Sequence, residues 1–177
     1  MAHLSERIRV ERGDITGFAV DAIVNAANAG LRGGGGVDGA IHRTAGAGLL
    51  AECITIGGCP PGEARLTGGY NLPAGHVIHT VGPRWQGGHS GEPDTLARCY
   101  RSCLAIAVEQ GFHSIAFPAI ATGVYGFPKT QAAAIAVAEI RTHLEQAAYP
   151  ELVILVCFDE STREAYRKAL AEDPSAG

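Results

Sequence analysis

The period of apolar positions shifts repeatedly along this chain, and each shift marks a predicted element. Residues 8–10 alternate apolar, polar and apolar, the pattern of a half-buried strand, and run into a turn at 13–16 where Asp14 and Thr16 can both act as caps. Residues 20–24 form a second strand. Beyond it, through Gly36, glycine and asparagine are too dense for regular structure. Val37, Ala40, Ile41 and Ala45 then recur at helical spacing, which predicts an amphipathic helix over 37–45, followed by another over 49–56. Pro60 and Pro61 within 57–62 break the pattern, and short strands at 64–67 and 77–81 bracket a turn at 72–75. After a polar loop over 83–93, a helix over 94–110 gathers Leu96, Tyr100, Leu104, Ala107 and Val108 on one face and stops at Gly111. A buried strand at 114–118 leads through a second glycine loop, 119–127, into an alanine-rich helix over about 128–147, with Pro128 in the first turn where helices tolerate it. A continuous apolar strand at 151–158, of the kind buried on both faces, and a helix at 161–171 follow.

Strands alternating with helices predict an α/β fold, a three-layer α/β/α sandwich around a mixed, largely parallel central sheet. In such sheets ligands sit beyond the carboxyl ends of central strands, where both glycine loops would meet. No repeat, linker or low-complexity tract interrupts 1–177, and 177 residues suffice for one domain that buries roughly 70% of its unfolded surface. The composition, 46% hydrophobic and 18% charged with 24 glycines, adds tight backbone turns to that picture. A net charge of −4 with scattered Lys and Arg provides no basic stripe, which argues against an extended nucleic-acid partner but not against a single nucleotide. Five cysteines, an odd number without a C-x-x-C pair, read as reduced thiols in a cytoplasm. The longest apolar run, 152–158, is far short of the ~20 residues of a membrane span, and residues 1–14 lack the apolar core of a signal peptide. No membrane association is expected.

Candidate chemistry concentrates in residues 22–45, A-I-V-N-A-A-N-A-G-L-R-G-G-G-G-V-D-G-A-I-H-R-T-A. A strand end delivers Asn25 and Asn28, a run of Gly33, Gly34, Gly35 and Gly36 precedes a helix, and Asp38 and His42 stand one turn apart on its face. Amides and a carboxylate can fix sugar hydroxyls, while glycine N–H groups and a helix N-terminus receive anionic oxygens. Each residue also has a plainer reading: a loose loop for the glycines, the helix dipole for Asp38, a hydrogen-bonded core position for His42, turns for the asparagines. Residues 34–39 formally satisfy G-x-G-x-x-G. Eight residues nevertheless separate the strand from the glycines, and no acidic residue ends a strand about twenty residues on, so a dinucleotide-dependent oxidoreductase is a distant reading.

The second loop, Ala121, Thr122, Gly123, Val124, Tyr125 and Gly126, repeats the strand–loop–helix arrangement and can hold a diphosphate on its N–H groups. Tyr125 and Phe127 would either cover that ligand or anchor the core. Phe158 reads as core unless an adenine lies beside it. His76 and His79 face opposite sides of a strand, Cys99 and Cys103 lack a partner pair, and neither set has metal spacing. With no G-x-S-x-G elbow and no cysteine in an electropositive setting, neither a metal, a cofactor nor a protein nucleophile is expected.

Five motifs carry a family resemblance: G-D-I-T at 13–16, V-D-A-I-V-N-A-A-N at 20–28, G-G-G-G-V-D-G-A-I-H-R at 33–43, V-I-H-T-V-G-P at 77–83 and A-F-P-A-I-A-T-G-V-Y-G-F-P at 116–128. In order and across essentially the whole chain they closely resemble the macrodomain family, and most closely its MacroD-type branch, which includes bacterial O-acetyl-ADP-ribose deacetylases. The resemblance implies an ADP-ribose-binding α/β/α fold that hydrolyses esters at the distal ribose. The implied substrates and partners are O-acetyl-ADP-ribose and ADP-ribose carried on aspartate or glutamate of mono-ADP-ribosylated proteins.

Carried over position by position, the resemblance implies that Asp14 accepts from the adenine amino group with Ile15 beside it, and that Phe158 stacks near the adenine. Residues 121–126 would bind the diphosphate. Asn25, Asn28, Gly33, Gly34, Gly35, Gly36 and Val37 would surround the distal ribose, with Asp38 in the catalytic position, Asn25 and Asn28 serving catalysis beside it by fixing the ribose hydroxyls, and His42 behind it. The chemistry suits a sparse site, because a carboxylate leaving group, with a conjugate-acid pKa near ~4, needs little general-acid help. One carboxylate to orient water can then suffice where most glycosidases use two. The guanidine of arginine-linked ADP-ribose is a much worse leaving group, and poor activity on it is expected. The chain departs from the family at Ala121, where serine is common, and at Thr44 and Ala47, where alanine and proline are more usual. A non-catalytic ADP-ribose reader is the alternative, and Asp38, which pure readers often lack, discriminates against it.

Overall fold

The computed structural model describes residues 3–172. In chain order its elements are α1 (Leu4–Arg7), β1 (Ile8–Arg12), a single 3-10 turn (Ile15–Gly17), β2 (Ala22–Ala26), α2 (Gly36–Ala45), α3 (Ala47–Ile56), β3 (Ala64–Gly68), β4 (His76–Thr80), α4 (Glu92–Gln110), β5 (Ser114–Phe117), α5 (Lys129–Gln146), β6 (Leu152–Cys157) and α6 (Glu160–Ala171). The strands lie in the order β1-β6-β5-β2-β4-β3. All neighbours run parallel except β3 and β4, which are antiparallel, so the sheet is mixed and largely parallel as the strand–helix alternation predicts.

Successive side chains on a strand point to opposite faces, and the central strands are apolar on both. Ala22, Val24, Ile115, Phe117, Val153 and Leu155 pack on one face with residues of α4, α5 and α6. Ile23, Val77, Ala116, Ile154 and Val156 pack on the other with residues of α2 and α3. Buried polar side chains interrupt this pattern, and two of them face each other. Asn25 in β2 and His79 in β4 are fully buried, are register partners, and share the face of Ile23 and Val77.

Several boundaries differ from the sequence expectation, and four differences bear on the site or the packing. The β2–β4 ladder continues to Ala26 opposite Thr80, so Asn25 lies within the strand rather than beyond its end. Strand β6 stops at Cys157, which leaves Phe158 outside the sheet. No local sequence pattern predicts helix α1, because its anchor is remote in sequence: the buried Arg7 guanidinium donates to the carbonyls of Leu144, Ala147 and Pro150 at 3.0, 2.9 and 2.8 Å. Helix α4 begins earlier than its apolar face suggests because Glu92, with Pro93 next in the first turn, folds back on the preceding loop. The Glu92 carboxylate accepts from the N–H groups of Gln86, Gly88 and Ser90 at 2.8, 2.9 and 2.6 Å.

Glu92 gives a pH prediction. Burial alone would raise its pKa, but the N–H groups of Gln86, Gly88 and Ser90, with its own, hold the charged form and bring it down to about 2 from an ordinary 4.5. The group binds a proton more readily in the unfolded chain, so its contribution is complete above pH 4.5 and is lost as pH falls toward about 2. Glu92→Gln is therefore expected to be less stable than wild type at neutral pH, with the difference in thermal midpoint shrinking across that acid range. A difference that stayed constant with pH would show that the charge is not responsible.

Among the described residues no helix is long and apolar enough to cross a membrane. All five cysteines are free and buried.

Candidate functional site

Five strands run parallel, so their carboxyl ends share one edge of the sheet. The segments that leave this edge follow the strand order. Asp14 comes after β1, Phe158 after β6, the 119–128 loop after β5 and the 27–35 loop after β2. A bond from Gly13 N–H to the Cys157 carbonyl, 3.0 Å, ties the first two together. All the site residues expected from sequence therefore lie on or next to this edge, divided into two ends and a middle.

At one end Asn25, Asp38, His42 and His79 meet. Helix α2 opens at Gly36, whose φ of +58° suits a residue without Cβ, and carries Asp38 in its first turn, buried at 5% exposure. Asn25 Nδ2 donates to Asp38 Oδ1 at 2.8 Å and lies 3.1 Å from His79 Nδ1. His79 Nε2 in turn lies 2.9 Å from Thr67 Oγ1 on β3. His42, one turn beyond Asp38, brings Nε2 to 3.4 Å from Asp38 Oδ1. Burial, and then the neighbouring His42, push the His79 imidazole down to about 4, so it is neutral. Two buried side-chain atoms here have no hydrogen-bond partner among the described residues, Asn25 Oδ1 and His42 Nε2.

The glycine loop is held against this cluster. Asn28 Nδ2 donates to the Gly33 carbonyl at 2.8 Å, so this amide nitrogen braces the loop rather than standing free for a ligand. Gly33 has a φ of +85° and packs against the His42 ring, and a Cβ on Gly34 would stand 3.3 Å from Asp38 Oδ2. Gly35 is the exposed N-cap of α2 without a side-chain cap bond, and Val37 is half-buried against the core under α2. The N–H groups of residues 33–36 meet no protein acceptor among the described residues, which leaves donors at a helix N-terminus.

In the middle, the second loop is tightened by bonds from Gly126 N–H to the Gly123 carbonyl, 3.0 Å, and from Phe127 N–H to the Ala121 carbonyl, 2.9 Å. Ala121 is buried and takes a φ of +67°, an uncommon backbone for a residue with a Cβ. The N–H groups of Gly123, Val124 and Tyr125 meet no protein acceptor among the described residues, and Val124 is fully exposed. Thr122 Oγ1 donates back to the Ala119 carbonyl at 3.4 Å. Of the two aromatics expected to cover a ligand or anchor the core, Phe127 is an anchor, buried 4.7 Å from the Trp85 ring. Tyr125 is half-buried, with the Arg84 guanidinium 5.0 Å from its ring centre.

At the far end Asp14 is exposed. Its Oδ1 accepts from Thr16 Oγ1 and Thr16 N–H at 2.7 and 3.0 Å, and these bonds hold its pKa below the usual carboxylate value. Ile15 is buried under the sheet and presents no side chain at the surface. Phe158 is 86% exposed, so it is not the core residue its apolar neighbours suggest.

His79 and Thr67 join this end without a local sequence signal that places them there. The sequence shows only a histidine sharing the face of Val77 in a strand otherwise apolar there. Among the described residues no group of three or more His, Cys, Asp or Glu side chains is placed to hold a metal ion.

Known proteins are similar to this chain in sequence and fold. Residues 24–136 match the Macro domain family. The chain is 56% identical over 171 residues to a macro domain-containing protein of Mesorhizobium japonicum, covering 97% of each. It is 52% identical over 173 residues to a Citrobacter rodentium protein named O-acetyl-ADP-ribose deacetylase, covering 96% of this chain and 98% of that one. Its fold matches the crystal structure of the Trypanosoma brucei macrodomain in complex with ADP-ribose with a TM-score of 0.88 and 48% identity, over 93% of this chain and 69% of that chain. The matched segment begins in β2 and runs through both glycine loops into α5, and with this sheet order and these identities the chain belongs to the macro domain family.

Proposed function

We propose that the chain hydrolyses ADP-ribose esters, both O-acetyl-ADP-ribose and mono-ADP-ribose carried on aspartate or glutamate of proteins, and releases ADP-ribose. The observation that carries this is the buried Asp38 carboxylate, tied through Oδ1 to Asn25 and presenting Oδ2 beside the bare backbone of Gly34. Relatives named O-acetyl-ADP-ribose deacetylase at 52% and 51% identity, and the neighbour holding ADP-ribose, support it.

The order of groups along the carboxyl edge parallels the order of groups in ADP-ribose. Adenine lies at Asp14 and Phe158, the diphosphate on the N–H groups of 121–126 at the N-terminus of α5, and the distal ribose at Asn25, Asn28 and the 33–36 loop. From β1 to β2 is three strand spacings, about 14 Å, a span that an extended dinucleotide-like ligand covers. Asp38 orients a water through Oδ2 and takes its proton. For ADP-ribose carried on a carboxylate, the water oxygen bonds to the ribose carbon, the C–O bond to the protein breaks, and the carboxylate leaves without needing a strong general acid. For O-acetyl-ADP-ribose, the water oxygen adds to the acetyl carbonyl carbon, the acyl C–O bond breaks, and the departing ribose oxygen receives the proton that Asp38 took, releasing acetate. His42, against Asp38 and Gly33, holds both in place.

The test is to incubate the protein with O-acetyl-ADP-ribose and, separately, with a glutamate-ADP-ribosylated protein, following free ADP-ribose, with calorimetry of ADP-ribose in parallel. Saturable binding with release from both is expected. Binding without release leaves a non-catalytic reader, and absence of both removes ADP-ribose from the account.

Phe158 gives a separate expectation at the adenine end. Because its ring is 86% exposed, Phe158→Ala should leave the thermal midpoint nearly unchanged. A stacked base is worth about 1–3 kcal/mol, so ADP-ribose affinity should fall about five- to 150-fold. Unchanged affinity by calorimetry would move the adenine away from this ring.

A further inference from the structure

We propose that His79, braced by Thr67, is a positioning residue that fixes the Asn25 amide with its Oδ1 turned toward the bound ribose as an acceptor. The proposal rests on the reading that a ribose binds at this end of the edge.

Hydrogen-bond polarity carries the argument. A carboxylate only accepts, so the Asn25 atom 2.8 Å from Asp38 Oδ1 is the amide nitrogen, and the reverse orientation would set two acceptors against each other. That nitrogen has two hydrogens, and the second meets His79 Nδ1 at 3.1 Å. Nδ1 must therefore accept, which puts the hydrogen of the neutral ring on Nε2. Thr67 Oγ1 takes it at 2.9 Å and passes its own hydroxyl hydrogen to the Gly68 or Val77 carbonyl, at 3.1 and 3.5 Å. The other neighbour of Nε2, Cys53 Sγ at 3.8 Å, is a weak acceptor. Donation thus runs outward from the Asn25 amide on β2, to Asp38 on α2 and to His79 on β4, and from the ring onward to Thr67 on β3.

The consequence appears at the one end of the amide left over. With both N–H groups directed at Asp38 and His79, Asn25 Oδ1 is buried and has no partner among the described residues. A buried acceptor without a partner costs about as much as the hydrogen bond it could make, and a ribose hydroxyl supplies that donor. If the ring carried its hydrogen on Nδ1, two donors would face each other and the amide would turn, bringing Oδ1 against Asp38. Burial keeps the ring neutral and so excludes the doubly protonated form, which also carries a hydrogen on Nδ1, and Thr67, accepting from Nε2, selects between the two neutral tautomers.

The experiment reads the ring directly. Long-range 15N–1H NMR of the histidine side chains, on wild type, Thr67→Val and Thr67→Ser, reports which nitrogen of His79 is protonated at neutral pH, and calorimetry of the same proteins measures ADP-ribose affinity. Wild type is expected to carry the hydrogen on Nε2. Thr67→Val, which keeps the shape and removes the acceptor, should populate the Nδ1–H form and lose about tenfold in affinity, and Thr67→Ser should restore both. A wild-type ring protonated on Nδ1, or a Thr67→Val protein with wild-type affinity, overturns the proposal. If Thr67→Val does not fold, the wild-type ring and Thr67→Ser decide. A wild type that binds no ADP-ribose would defeat the functional reading instead, and the tautomer would still test the hydrogen-bond chain.

Discussion

Asp38→Ala is expected to lower kcat for release of ADP-ribose from its esters by about 10²–10⁴-fold, the range over which a positioned acid or base contributes. Binding of ADP-ribose itself should fall much less. Oδ1 of this carboxylate is already committed to Asn25, at 2.8 Å, so Oδ2 is the oxygen that can hold a water. Gly34 keeps that approach open, since a Cβ there would crowd Oδ2 at 3.3 Å. Truncation also strips one acceptor from Asn25 Nδ2, a buried donor whose loss costs about 1–3 kcal/mol if nothing replaces it. Asp38→Asn separates the two effects. Its side-chain oxygen can still accept from Asn25, so the cluster should stay assembled, but the amide cannot take a proton from water. Both variants should therefore lose activity, and Asp38→Asn should bind ADP-ribose better than Asp38→Ala. Single-turnover rates at saturating ester, with calorimetry of ADP-ribose, check this. Wild-type turnover by Asp38→Asn would take Asp38 out of the proton transfer.

The contrast between Asp38 and His79 shows what sequence could reveal. Asp38, His42 and the glycine run sit within ten residues of one another, and helical spacing alone predicts that the first two share a face. The contact of Asn25 with Asp38 spans 13 residues and follows from a strand feeding a loop and a helix. The Asn25–His79 contact spans 54 residues and exists only because β2 and β4 pair in one particular register, which no local pattern specifies. Thr67 depends on a second pairing, β3 with β4. The same limit applies to the fold. Apolar alternation was enough to predict the strands and the layers, whereas α1, held by Arg7 across 137 residues, and the early start of α4 at Glu92 rest on polar contacts that a hydrophobic pattern does not record. Aromatics were ambiguous for a related reason. Phe127 and Phe158 look alike in sequence, and only Trp85 packing against the first distinguishes anchor from exposed ring.

Gly39→Ala should weaken ADP-ribose binding by more than about tenfold, without the gain in stability that helix propensity alone suggests. Alanine in the middle of a helix normally gains about 1 kcal/mol over glycine. Here an added Cβ on α2 would stand 2.5 Å from the Gly34 carbonyl oxygen and 3.0 Å from Arg43 Nη1. The arginine can swing away, but the carbonyl belongs to the backbone of the glycine loop, so the loop must move. Overpacking of this kind costs about 1–3 kcal/mol, enough to cancel the propensity gain. The net change in thermal midpoint should then be small. Displacing Gly34 also pulls at Gly33, whose carbonyl is held by Asn28 at 2.8 Å and which packs against His42. The shift therefore reaches the backbone N–H groups and the space before Asp38 Oδ2, where ligand and water are read to sit. Stability and affinity should separate in this variant, one nearly flat and the other sharply reduced. A Gly39→Ala protein that melts like wild type and binds ADP-ribose as tightly would show that the position of the 33–36 backbone does not set affinity.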